Sequence, residues 1–285
     1  MLLIIGYVVI LAASVGTYAI HGSLGALWVP TEYVAIVGLT IGGFVAGNTG
    51  KVVKATLKDL PSVFKGSKYS KALYMDLLAL LFEILGKVRK EGLMSIESDI
   101  ENPEGSPIFS KYPSVIADHH VLEFMTDYLR MMVGGNLNAF EIENLMDIEI
   151  ETHHHESETA PHAVSKVADS VPAFGIVVAV MGVVNVMGSV GQPPAVLGKM
   201  IGGALVGTFL GILISYGFVA PLAGQLEQKA GEGSKIYQCI KVVLLASMNG
   251  YAPQVAVEFG RKVLYSTERP TFSELEEDLK SRKGK

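Results

Sequence analysis

The sequence predicts an all-α fold: a polytopic membrane protein with four transmembrane helices and a helical cytoplasmic domain. Three observations carry this. Of 285 residues, 49% are hydrophobic and only 18% charged, whereas a soluble domain usually carries about 25% charged residues. The deficit is uneven, because long uncharged stretches alternate with strongly charged ones, and that pattern belongs to a bilayer. Finally, the polar stretches show apolar residues at helical spacing and little strand-like alternation.

A spanning helix needs about 20 largely apolar residues. Met1 to Ile20 contains no charge, Tyr33 to Gly50 lies between Glu32 and Lys51, and Ser170 runs uncharged to Lys199. The fourth stretch runs from Met200 to Leu226, just before Glu227. Met1 leads directly into Leu2, Leu3 and Ile4 with no basic segment ahead, so the first stretch reads as a retained helix rather than a signal peptide. Lysines 51, 54, 58, 65, 68 and 71 crowd after the second span, and lysines 229, 235 and 241 follow the fourth. By the positive-inside bias, both long polar segments and both termini lie in the cytoplasm. Trp28, Tyr18 and Tyr33 suit an outer interfacial belt.

The expected organisation follows. Residues 1–50 hold transmembrane helices 1 and 2, and 51–169 form a cytoplasmic helical domain. Residues 170–222 hold transmembrane helices 3 and 4, and 223–285 form cytoplasmic C-terminal helices and a tail. Helices are predicted over Tyr69–Gly92, Ser114–Val133 and Asn138 to about Thr152, with Asn102-Pro103-Glu104-Gly105 as a turn. Ile236–Ser247 carries Lys241 and is too short to cross, so it continues a long helix that packs on the cytoplasmic domain of residues 51–169. Asn249-Gly250 breaks that helix, another covers Pro253–Tyr265, and the charged tail from Thr271 is expected to be mobile.

Several function classes recede. The net charge of −5 and the lack of a basic recognition helix argue against a nucleic-acid partner. The single cysteine, Cys239, permits no internal disulfide or thiolate cluster and reads as a structural thiol. No nucleotide-binding glycine loop, Walker motif or marked catalytic triad occurs, so no enzyme and no cofactor is predicted. His153, His154 and His155 diverge on a helix and read as a solvated face or linker, as do His119 and His120.

Within the spans, Gly203, Gly207 and Gly211, Gly38 with Gly42, and Gly43 with Gly47 recur at a spacing that lets helices approach closely. Packing within one chain and an oligomeric seam both fit. Ion pathways usually contain an intramembrane ionisable residue, yet no span has one near its middle. The polar residues there are Tyr7, Ser14, Thr40, Asn185, Thr208, Ser215 and Tyr216. If the protein moves protons, the titrating group must come from another chain. Pro172 is expected to begin the third span, where its missing N–H costs no helical bond. Pro221 is expected to kink or interrupt the fourth.

The chain resembles the MotA family of flagellar stator subunits, part of the MotA/TolQ/ExbB proton channels. The likeness covers all but about the last dozen residues. It is carried by GSLGALW (22–28), SKYSKALYMDLLALL (67–81), DIENPEGSPIFSKYP (99–113), DSVPAFGIVVAVMGVV (169–184), VGTFLGILISYGFVAPLA (206–223) and NGYAPQVAVEFGRKVLYSTERP (249–270). TolQ and ExbB have three spans, so the four-span layout favours MotA over an energiser of outer-membrane transport; a purely structural scaffold is the third alternative. The resemblance implies a multi-pass protein of the bacterial inner membrane, working with MotB, whose single helix supplies the titrating aspartate. It implies a ring of this chain, a pentamer, that pushes on the rotor protein FliG through Arg89 and Glu97. Pro172, Pro221 and Thr208 match the family's coupling prolines and ion-pathway threonine, and Tyr216 is grouped with them. Sodium-driven relatives carry a threonine where this chain has Ala179, which implies H+ rather than Na+ as the coupling ion.

Overall fold

The structure is a computed structural model that describes residues 2–283, so Met1 of the first predicted span and the last two residues lie outside it. Helices account for the fold, with no strand among the described residues. In chain order the main ones are α1 (Leu2–His21), α2 (Pro30–Ala46), α3 (Gly50–Asp59), α4 (Lys71–Glu91), α5 (Glu97–Glu101) and α6 (His119–Gly134). They are followed by α7 (Ala139–Met187), α8 (Pro194–Met248), α9 (Pro253–Val263) and α10 (Phe272–Lys283).

Three of these, α1, α7 and α8, are long and apolar enough to cross a membrane. The second predicted span appears as the shorter apolar α2, of 17 residues, which is about 26 Å at the α-helical rise. It starts before Tyr33 and ends before Gly50, because Pro30 fits the first turn of a helix and Gly47 closes the last. Glu32 thereby becomes part of the helix.

The chain forms two compact units. The first comprises the chain up to Gly66 together with Ser157–Lys229. Its helices bury two small clusters, one of Ile36, Val171, Val178, Val206 and Leu210 and one of Leu3, Val63, Val164, Ala223 and Leu226. They leave large apolar side chains such as Val34, Ile41, Met181 and Leu205 exposed. An apolar exterior around a thin core is the pattern of helices solvated by lipid.

The second unit comprises Ser67–Glu156 and the chain from Ala230. Its core is built as in a water-soluble domain, since α4 buries Leu77, Leu78, Leu80, Leu81 and Ile84 completely while charged residues occupy its other face. Ser70 caps α4, its hydroxyl accepting from Leu73 N–H, and Asn138 with Glu141 forms a reciprocal capping box at the start of α7. Cys239 is fully buried, and burial pushes its thiol up to about 12, which suits the structural role. A side-chain carbon at Gly260 on α9 would meet Val243 at 2.4 Å and Cys239 Sγ at 3.0 Å, so this contact requires glycine.

Four expectations are corrected. The stretch from Asn138 does not end near Thr152 but runs on as the 49-residue α7, so Pro172 lies inside a helix instead of at its start. The segment around Pro221 is not interrupted: the ladder ahead widens to a π register over Ser215–Val219, with Ala220 N–H reaching the Ser215 carbonyl. A proline that brings no N–H is tolerated where the register shifts in this way. The tail forms a helix over Phe272–Lys283, with Leu275 and Leu279 buried, a Thr271–Glu274 capping box and a Lys71–Glu274 ion pair at 2.7 Å. His153 is half-buried; its Nε2 lies 3.1 Å from the Tyr237 hydroxyl, and its ring centroid is 4.5 Å from that of Tyr237.

Candidate functional site

Arg89 stands in the last turn of α4 and Glu97 opens α5. The chain reverses between them at Gly92, whose φ of 87° falls where a β-carbon is strained. Both side chains are exposed, and neither makes an ion pair or side-chain hydrogen bond among the described residues. Their neighbours differ. Lys87 Nζ sits 2.8 Å from Asp99 Oδ2, and Ser106 Oγ donates to Asp99 Oδ1 at 2.6 Å. Asp99 is only 3% exposed, so this buried network clamps the end of α4 to α5. Nothing in the residue pattern separates Lys87 from Arg89; the fold assigns Lys87 to holding the loop and leaves Arg89 and Glu97 exposed.

The remaining predicted residues belong to the first unit, on α7 and α8. Glycine brings the two helices together. A side-chain carbon at Gly175 would lie 2.9 Å from Gly211 Cα, and one at Gly182 would lie 2.7 Å from Ala204 Cβ. Gly207 and Gly211 therefore pack within the chain, the alternative that spacing left open. Gly38 and Gly42 on α2 meet nothing within 4 Å.

At this seam a side-chain carbon on Gly207 would stand 3.2 Å from Ala179 N, so Ala179 faces α8 one residue from Thr208. Ala179 is buried and Thr208 partly buried, whereas Tyr216 is 63% exposed. Tyr216 lies within the π segment, away from the Ala179–Gly207 contact in sequence.

The π segment that precedes Pro221 in the chain also serves Pro172. A proline at 172 has no N–H for the carbonyl of Ala168 four residues earlier. Ser215, fully buried and first in the π segment, donates its hydroxyl to that carbonyl at 2.5 Å. The bond freed by the proline of one helix is thus remade by a side chain of the next. Tyr7 of α1 secures the segment from another side, its hydroxyl donating to the Phe218 carbonyl at 2.7 Å. Ser215 was visible in the sequence only as one of several span hydroxyls.

Glu32 is the residue whose placement the sequence does not convey. It flanks an apolar run as an ordinary helix-start acid would, yet its side chain turns inward and is only 8% exposed. Among the described residues no group of three His, Cys, Asp or Glu side chains forms a metal cluster.

Comparison with known proteins places this arrangement. A motility protein A N-terminal profile matches residues 4–92, and the profile of the MotA/TolQ/ExbB proton channel family matches residues 117–238. Motility protein A of Escherichia coli (strain K12) is 56% identical over 285 residues, covering 100% of this chain and 97% of the relative. The structure of C. jejuni MotAB superposes with a TM-score of 0.75 at 22% identity, covering 93% of this chain and 95% of that one. The flagellar MotAB stator complex from Bacillus subtilis superposes with a TM-score of 0.72 at 25% identity, covering 90% and 92%. The chain belongs to the MotA/TolQ/ExbB proton channel family, on its motility protein A branch.

Proposed function

We propose that this flagellar stator subunit, a membrane protein and not an enzyme, forms with MotB a proton-conducting complex that converts ion flow into torque on the rotor. The observation that carries the reading is the 56% identity to a motility protein A along the whole chain. The protein sits in the bacterial inner membrane as four spans. These are α1, α2 and the apolar stretches 170–199 and 200–222, with residues 51–169 and 223–285 cytoplasmic. The lysine bias supports this topology.

In this reading several copies, five by the family resemblance, surround the MotB helices. The neutralisation of a MotB aspartate in a low-dielectric channel is a large electrostatic change, and it biases the α7–α8 pair between two packings. Pro172, whose freed carbonyl Ser215 takes up, and Pro221 are the points where that pair gives. Ala179 and Thr208 lie on the ion path with Tyr216. Ala179 offers no oxygen where a sodium ion would need one, which favours H+ over Na+. Arg89 and Glu97 meet FliG electrostatically, being exposed and unpaired.

Expression in a strain lacking MotA tests the function: restored swimming supports it, and immotile cells containing normal membrane levels of the chain refute it. Motility that survives a protonophore but stops on sodium removal would refute H+ coupling.

A further inference from the structure

Glu32 is buried in the first unit with no fold-level reason to be there. Its Oε2 is shielded from solvent and has no hydrogen-bond partner among the described residues. Two helices leave room for it by lacking side chains. A side-chain carbon at Gly207 would meet Oε2 at 2.7 Å, and one at Gly182 would lie 3.7 Å from Oε1. The carboxyl group therefore reaches the seam that brings Ala179 to Gly207, next in sequence to Thr208. Glu32 also lines a cavity of about 1540 Å³ whose wall includes Tyr18, His21, Asn185 and Lys199.

A carboxylate without donors in a membrane protein is costly, and such groups face cavities and mark ion paths. Glu32 lies in the first turn of α2, and Tyr18, His21 and Lys199 are the other titratable groups on the cavity wall. A buried carboxyl group with a cavity on one side and the helix seam on the other is placed to exchange a proton between them.

We propose that Glu32 is a proton-exchanging site supplied by this chain itself, taking protons from the cavity to the Ala179–Gly207–Thr208 seam. The proposal rests on the reading of the chain as a proton-conducting subunit and adds a titrating group to the one MotB provides. No atom beyond the proton moves: the carboxylate accepts one from water in the cavity and releases it to water or the partner's carboxylate at the seam.

The test uses the full chain co-expressed with MotB in a strain lacking both. In one arm, Glu32→Gln keeps the side-chain shape and removes the exchangeable site. Membrane level is expected to be normal and torque to fall at least about tenfold, since positioned proton-transfer groups are worth factors of about 10²–10⁴. Torque within about twofold of the parent, with the same dependence on external pH, overturns the proposal. The other arm needs no variant. Membranes holding the parent complex are treated with dicyclohexylcarbodiimide, which modifies protonated carboxyl groups, and the Glu32 peptide is followed by mass spectrometry. Labelling that declines as pH rises is expected. No labelling at any pH, a pH-independent rate, or protection by sodium but not potassium overturns the assignment, and this arm decides if the variant does not assemble. Failure of the parent chain to restore swimming would instead sink the stator reading, whereas a motile parent beside an unimpaired variant sinks the Glu32 site alone.

Discussion

Replacing Ser215 with alanine isolates the contact that compensates Pro172. The hydroxyl is fully buried and donates at 2.5 Å to the Ala168 carbonyl, which Pro172 deprives of its helical donor. Without it that carbonyl is left unsatisfied away from water, a cost of about 1–3 kcal/mol. Side-chain hydrogen bonds between membrane helices average about 0.6 and reach about 1.7 kcal/mol. The donor is fully buried, so the upper end applies and about 1.5 kcal/mol is expected. The control is Pro172→Ala, which restores an N–H to the same carbonyl. In that background Ser215→Ala should cost no more than about 0.5 kcal/mol, the range of an ordinary substitution. A double-mutant cycle, read by detergent-denaturation midpoints of the purified chain using near-UV circular dichroism, measures the difference. Equal costs in the two backgrounds, or no cost in the parent, would refute the claim that Ser215 completes the helix broken by Pro172.

Other consequences are open to measurement. Arg89→Ala should leave stability within about 0.5 kcal/mol of the parent while lowering torque, because the side chain is exposed and unpaired. Lys87→Ala should destabilise the second unit by about 3 kcal/mol, as it strands the buried Asp99 carboxylate; thermal melts of both variants beside swimming assays separate the two roles, and equal melts would refute them. Cys239 should resist alkylation at about pH 8 until denaturant is added, since its thiol is buried and held near 12; mass spectrometry of iodoacetamide-treated protein checks this. Burial, with His120 adding to it, lowers the His153 pKa below the usual 6.5. The fold then favours the neutral ring: its contribution is present above about pH 6.5 and is lost as pH falls through the lower folded value. Melting points taken at about pH 7.5 and 5.5 should differ more for the parent than for His153→Gln, and equal differences would dismiss the role.

The residue pattern alone was enough for the helical class, the apolar stretches and the family, because uncharged runs of spanning length and long shared blocks are properties of the chain read in order. It also marked Arg89, Glu97, Pro172, Ala179, Thr208, Tyr216 and Pro221, through resemblance to a family. What it did not reveal depends on which helix faces which. Pro172 read as a helix start because a proline after polar residues usually is one, whereas inside α7 the Ser215 hydroxyl of another helix takes up the carbonyl it leaves free. The α10 helix read as a mobile tail because its sequence is charged, although Thr271-x-x-Glu274 was a capping signal in plain view. Lys87 and Arg89 are equivalent in sequence and separate only because Asp99 is buried beside one of them. Glu32 shows the same limit most clearly. Its position at the head of an apolar run is legible, but the inward turn of its carboxyl depends on glycines about 150 and 175 residues away, a long-range coincidence that tertiary packing alone decides.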